Sequence, residues 1–194
     1  MVICWFLTRS NLTDPAEPNS LVAGEHSFYF PQSSKMSWQR QVLASRGYLE
    51  LGMFEDAKLA LEQINAKDKT RREVSYAALI VHLAAENWDM AVTIAADIVK
   101  AEPKNPTMWI LLAHAVRHAG NVEQMEMVLF KARAWHPRDP LILFKLACCA
   151  SVTGRIEEAK LRLGNAIDLD ENLRRIALHE EDLQPLWDWI AQTP

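Results

Sequence analysis

A spacing of 34 residues organises most of this chain. Two sets of positions keep it, a mostly small residue at Ala57, Ala91, Met125 and Ala159, and a mostly glycine position at Gly52, Glu86, Gly120 and Gly154. Each unit holds two stretches with the periodicity of amphipathic helices, separated at the glycine position. One such helix pair buries too little apolar surface to offset its conformational entropy, so neighbouring pairs must share a core. The spacing therefore predicts a stack of helix pairs.

The apolar periodicity predicts four pairs, at residues 38–51 and 54–64, 72–85 and 88–100, 106–119 and 122–135, and 140–152 and 156–168. Glycine at the turn can adopt the left-handed conformation that ends a helix. Asn87, Asn105 and Asn121 stand where a helix is expected to begin, and asparagine is a favoured N-cap. Thr70 and Glu73 have the spacing of a capping box at the start of the third helix.

The predicted units divide the chain into three parts. Residues 1–36 are predicted to be a flexible or partly docked N-terminal extension. Residues 37–172 hold the four units, which the period places at 38–71, 72–105, 106–139 and 140–173. Residues 173–194 are predicted to cap the last unit, because Leu183, Leu186 and Ile190 follow the stripe of an amphipathic helix with Pro185 in its first turn.

Composition narrows the function classes. The formal net charge is −4, the isoelectric point is near 5.9, and no basic stripe runs along the chain, so we expect no nucleic-acid partner. No apolar run approaches the roughly 18 residues of a membrane span, and the N-terminus lacks the pattern of a signal peptide. The chain has three cysteines, Cys4, Cys148 and Cys149, and their odd number and lack of a spacing pattern argue against a disulfide framework. We expect a soluble, cytoplasmic protein without a membrane partner.

A helix-turn-helix unit with this period resembles the tetratricopeptide repeat. The third unit matches the family pattern best, at Trp109, Leu112, Ala113, Gly120, Ala132 and Pro137. Lys69 stands where a proline is usual and Glu86 where a glycine is usual. The resemblance covers about residues 38–172. It implies an all-α fold, an α-α superhelix of four antiparallel helix pairs with C-terminal capping helices.

The resemblance also implies a concave groove that is lined by the first helix of each pair and binds protein or peptide segments. The corresponding positions are Val42, Arg46 and Leu49, then Tyr76, Ile80 and Leu83, then Ile110, His114 and Arg117, and finally Phe144, Cys148 and Ser151. Several of these are expected to pack against neighbouring helices instead. The row Val42, Tyr76, Ile110 and Phe144 recurs at one place in every unit and suits an apolar partner segment.

Adapters of heat-shock chaperones in this family use lysine and asparagine side chains to clamp a terminal carboxylate. The corresponding positions of this chain are Val42, Arg46, Ala77, Thr107 and Leu111. We therefore do not expect that activity. In character, the groove is similar to those of bacterial secretion chaperones and assembly scaffolds.

The sequence favours a non-enzymatic scaffold without a cofactor, and two other interpretations remain open. His114 and His118 lie one helical turn apart and could, with Cys148, form a metal-dependent or redox site. Buried packing is the alternative for Cys148 and Cys149, and polar groove lining is the alternative for the histidines. The N-terminal segment Phe28-Tyr29-Phe30 could occupy the groove of its own chain or support self-association.

Overall fold

The computed structural model describes residues 37–192, which form helices and no strand. The helices are α1 (Trp38–Glu50), α2 (Phe54–Glu62), α3 (Ala66–Lys69), α4 (Arg72–Ala84), α5 (Trp88–Ala101), α6 (Pro106–His118), α7 (Val122–Trp135), α8 (Pro140–Val152), α9 (Ile156–Leu169), α10 (Asn172–Ala177), a 3₁₀ helix (Glu181–Leu186) and α11 (Trp187–Gln192). The expected all-α solenoid of four antiparallel pairs is confirmed, and its eight main helices end within two residues of the expected bounds. No helix within residues 37–192 is long and apolar enough to span a bilayer.

The helices stack in one continuous order. Within each pair the two helices pack against each other, and the first helices α4, α6 and α8 pack against the second helix of the preceding pair. At the small-residue position Ala57, Ala91 and Ala159 are fully buried, and Met125 is buried as well. A residue without a bulky side chain at this place allows two helix backbones to approach closely.

The turn inside each pair is made by a residue in the left-handed region. The φ angles are 71° at Gly52, 89° at Gly120 and 75° at Gly154. The second pair uses Glu86 with φ of 56°, and Glu86 is the sole non-glycine residue with positive φ in the described part of the chain. The turn conformation thus follows the repeat even where its usual residue is absent.

The helix starts agree with the expected caps only in part. Asn121 caps α7 as expected, since its side-chain oxygen accepts a hydrogen bond from the Gln124 amide. The side chains of Asn87 and Asn105 make no capping hydrogen bond at their helix starts. The prediction of a capping box at Thr70 was wrong, because the additional helix α3 ends just before Thr70 and α4 begins after Arg71.

A buried charge network joins the last two second helices. Arg162, on α9, is nine-tenths buried and donates to Glu126 of α7 and to the Leu146 carbonyl, each at 3.0 Å. It also pairs with Glu158 of its own helix. Burial opposes ionisation of Glu126, but hydrogen bonds from Arg155 and Arg162 outweigh it and lower the pKa of this carboxyl.

The C-terminal part is built from three short helices. Leu183, Leu186 and Ile190 are buried, as their spacing predicts. They do not share one helix, because Pro185 lies inside a 3₁₀ helix and α11 begins only at Trp187. Proline has no amide hydrogen to donate, which favours a short 3₁₀ segment over a continuous α-helix at this place.

Candidate functional site

The twelve first-helix positions expected to line a groove are called here the first-helix face. In the first two repeats this face is partly exposed, and this part of it is called here the open stretch. Val42, Leu49, Tyr76 and Ile80 are half-buried, and Arg46 is exposed and pairs with Glu50 of its own helix at 3.4 Å. Val42 and Leu49 also pack against the core between α2 and α4. Leu83 is buried beneath this open stretch.

In the last two repeats much of the face is covered. Ile110 is buried, whereas His114 and Arg117 of the same helix are partly exposed. Phe144, Cys148 and Ser151 are between 0% and 3% exposed. The side chains of Phe144 and Cys148 belong to one core cluster with Leu173, Ala177, Leu183, Leu186 and Ile190 of the C-terminal part. The face is therefore partly exposed over repeats 1 and 2 and buried over repeat 4.

Two ion pairs attach the covering segment to first helices. Arg117 of α6 makes two hydrogen bonds to the Asp182 carboxylate, at 2.8 and 3.3 Å, and these raise the pKa of the guanidinium. The Lys145 ammonium of α8 lies 2.8 Å from a Glu180 carboxylate oxygen. Lys145, Glu180 and Asp182 were not among the expected site residues. The signal for them in the sequence was the run of three acidic residues at 180–182 in the predicted cap.

Tyr76 takes part in a polar group as well as in the face. Its hydroxyl donates to a Glu102 carboxylate oxygen at 2.6 Å and accepts from Asn105 at 3.2 Å and from Arg72 at 3.3 Å. Burial, followed by the hydrogen bond to Glu102, raises the pKa of the phenol. The hydroxyl is thus bonded to groups at the two ends of repeat 2, and a partner could contact only the ring.

The two histidines form an aromatic cluster with Trp88. The His118 ring stacks on the Trp88 ring at 4.5 Å, and the His114 ring meets both at steep angles, 4.4 Å from His118 and 5.8 Å from Trp88. Burial lowers the pKa of His114 to about 4, helped by His118 and Lys145. His114 is therefore neutral at physiological pH and packs as an aromatic side chain.

The metal or redox interpretation finds little support in this geometry. Within residues 37–192 no group of three or more His, Cys, Asp and Glu side chains is placed to hold a metal ion. Cys148 and Cys149 are buried free thiols, and burial raises the pKa of Cys149 to about 12 and that of Cys148 further. A thiol held protonated in this way is a poor nucleophile and a poor metal ligand. The segment 28–30 lies outside the described residues.

Comparison with known proteins points to one repeat family. Residues 48–115 match the model of the tetratricopeptide repeat. MamA of AMB-1 has a similar structure, with a TM-score of 0.60 and 20% identity over 70% of this chain and 74% of that one. TTC0263, a thermophilic TPR protein in Thermus thermophilus, has a TM-score of 0.58 and 18% identity over 80% and 84% of the two chains. No curated protein is significantly similar to this chain. At these identities the two structures establish the fold.

Proposed function

We propose that this chain, which is a tetratricopeptide repeat protein, is a non-enzymatic scaffold that binds a segment of a partner protein on its first-helix face. Proteins with this repeat are in general interaction scaffolds. The observation that carries the finer proposal is the difference in coverage along the face. Val42, Tyr76 and Ile80 are only partly covered in repeats 1 and 2, whereas repeat 4 is closed by the chain itself. The open stretch is the seat that we assign to the partner.

The chemistry of the open stretch favours a partly apolar partner segment. Val42 and Ile80 offer aliphatic surface, and the Tyr76 ring lies between charged neighbours, with the Arg72 guanidinium 5.1 Å from its centre. An extended or helical segment that presents apolar side chains at alternate positions or at every third and fourth position could bury them here. Arg46, exposed at the edge, would favour a carboxylate on the same segment.

Site-specific photo-crosslinking in the native host tests this proposal. A photoreactive phenylalanine replaces Ile80 on the first-helix face or, as a matched control, Leu161, which is 67% exposed on the second helix α9. We expect a protein partner to crosslink at position 80 and not at position 161. Equal crosslinking at both positions, or crosslinking at position 161 alone, would contradict the assignment of the face.

We also propose that the protein acts in a reducing compartment such as the cytoplasm. The support is chemical. Cys148 and Cys149 are adjacent in α8, and both are buried as free thiols. Free cysteines of this kind are typical of proteins that work where thiols stay reduced. Fractionation of the host, followed by immunodetection of the chain, tests this placement directly, and recovery of the chain from an oxidising compartment would contradict it.

A further inference from the structure

We infer that the first-helix face of repeats 3 and 4 is a binding seat for a short acidic segment with apolar side chains, and that residues 180–190 fill this seat within the same chain. An external segment of the same chemistry binds there by exchange with residues 180–190. The inference rests on the proposed function and adds the chemistry of the partner and a second position on the face.

The first argument is the side on which the segment lies. In repeats 3 and 4 the first helices α6 and α8 pack mainly against the preceding second helix and barely touch the preceding first helix. The 3₁₀ helix at Glu181–Leu186 has the opposite preference. It packs mainly against the preceding first helix, α8, and much less against the preceding second helix, α9. The segment is thus shifted from the place of a fifth repeat toward the first-helix face.

The second argument is charge. Asp182 binds Arg117, which belongs to repeat 3, and Glu180 binds Lys145 in repeat 4, so the segment spans two repeats. The Lys145 and Glu180 side chains are 14% and 16% exposed. A cation left without a partner in such a setting is costly, so an occupant of this seat must bring carboxylates. The two-bonded contact of Arg117 adds geometric selectivity.

The third argument is the apolar pattern that accompanies these carboxylates. Leu183, Leu186 and Ile190 follow Asp182 at short intervals and are at most 1% exposed. They contact the cluster that contains Phe144 of the first-helix face. Because the segment follows the last repeat, its release would leave the chain connections between the four helix pairs unchanged. An acidic residue pair followed by three apolar residues therefore describes both the resident segment and the expected partner.

Peptide binding to the full-length chain tests the inference. The probe is a fluorescent peptide with the sequence of residues 178–192, and the variant chain carries Glu180→Lys together with Asp182→Lys. Repulsion from Arg117 and Lys145 loosens the resident segment of this variant, so its seat becomes available. We expect the peptide to bind the variant at least about tenfold more tightly than the native chain, whose tethered segment competes at high effective concentration. Added salt should weaken this binding.

Charge exchange supplies the matched control. A peptide with the same two lysine substitutions should bind neither of these chains, but it should bind a chain that carries Arg117→Glu with Lys145→Glu. A folded variant that binds the native-sequence peptide no more tightly than the native chain does would overturn the inference. If circular dichroism shows that the lysine variant is unfolded, Glu180→Gln with Asp182→Asn replaces it, and the same comparison decides. Crosslinking at Ile80 together with equal peptide affinities would remove this inference and leave the proposed function intact.

Discussion

Replacing Glu86 with glycine should stabilise the protein. Glu86 is an exposed residue with φ of 56°, in the turn where the other three repeats have glycine. The left-handed conformation costs an ordinary L-residue about 1–2 kcal/mol. Glycine avoids that strain but adds about 0.5–1 kcal/mol of backbone entropy to the unfolded chain. The difference predicts that Glu86→Gly raises the free energy of unfolding by about 0.5–1 kcal/mol, which corresponds to roughly 1–4 °C in Tm for a chain of this size.

Urea unfolding followed by circular dichroism measures this change, with the slope of the transition expected to stay constant. Glu86→Ala is the control, because it removes the carboxylate and keeps the strained backbone. Gly120→Ala is the reverse substitution. Gly120 has φ of 89° and no atom within 4 Å of an added Cβ, so its expected loss of about 1 kcal/mol is purely conformational. The reasoning is refuted if Glu86→Ala stabilises the protein as much as Glu86→Gly does.

Three further predictions concern buried groups. Glu126→Gln should lower the free energy of unfolding by about 1–3 kcal/mol, because it leaves the buried Arg162 with one carboxylate fewer. Glu123→Gln changes an exposed residue of the same helix and should have little effect in the same urea assay. The pKa of His114 is about 4 in the folded chain and near 6.5 in the unfolded chain, so the unfolded state binds more protons between these two pH values. The free energy of unfolding should therefore fall by on the order of 2–3 kcal/mol as the pH drops from about 6.5 to 4. This pH dependence should flatten in His114→Gln, and an unchanged profile would contradict the assignment. Cys148 should resist alkylation in the native chain and react once urea unfolds it, as peptide mass mapping can show, and rapid alkylation under native conditions would disagree with its burial.

The helix pairs could be predicted from the sequence because their signals are local and repeated. Three features recur in every unit with few exceptions: glycine at the turn, a small residue in the second helix and apolar residues at helical spacing. The neighbouring units therefore correct the prediction for a unit whose own pattern is ambiguous. Glu86 illustrates this point, since the period placed a turn there against the preference of the residue itself.

Single hydrogen bonds could not be predicted in the same way, because side chains have competing partners. Asn105 precedes Pro106 at a helix start, yet its amide group donates to the Tyr76 hydroxyl instead of capping the helix. Thr70 has the spacing of a capping residue, but an ion pair between Arg71 and Asp68 accompanies an additional helical turn that ends at Lys69. Both outcomes depend on groups that the local pattern does not contain.

The covering of the first-helix face could not be predicted from the repeat spacing. The spacing predicts which face of a helix a residue lies on, but it does not predict which segment covers that face. The segment that closes repeat 4 follows no repeat spacing, so the period could not place it over Phe144 and Cys148. Charge carried the missing information. Arg117 and Lys145 lie in first helices, and the Lys145 side chain is only 14% exposed, so this ammonium needs a carboxylate. The acidic run 180–182 supplies the carboxylates for both cations. In this chain the buried Lys145 on a first helix therefore indicates an acidic segment from outside the register, whether that segment belongs to the same chain or to a partner.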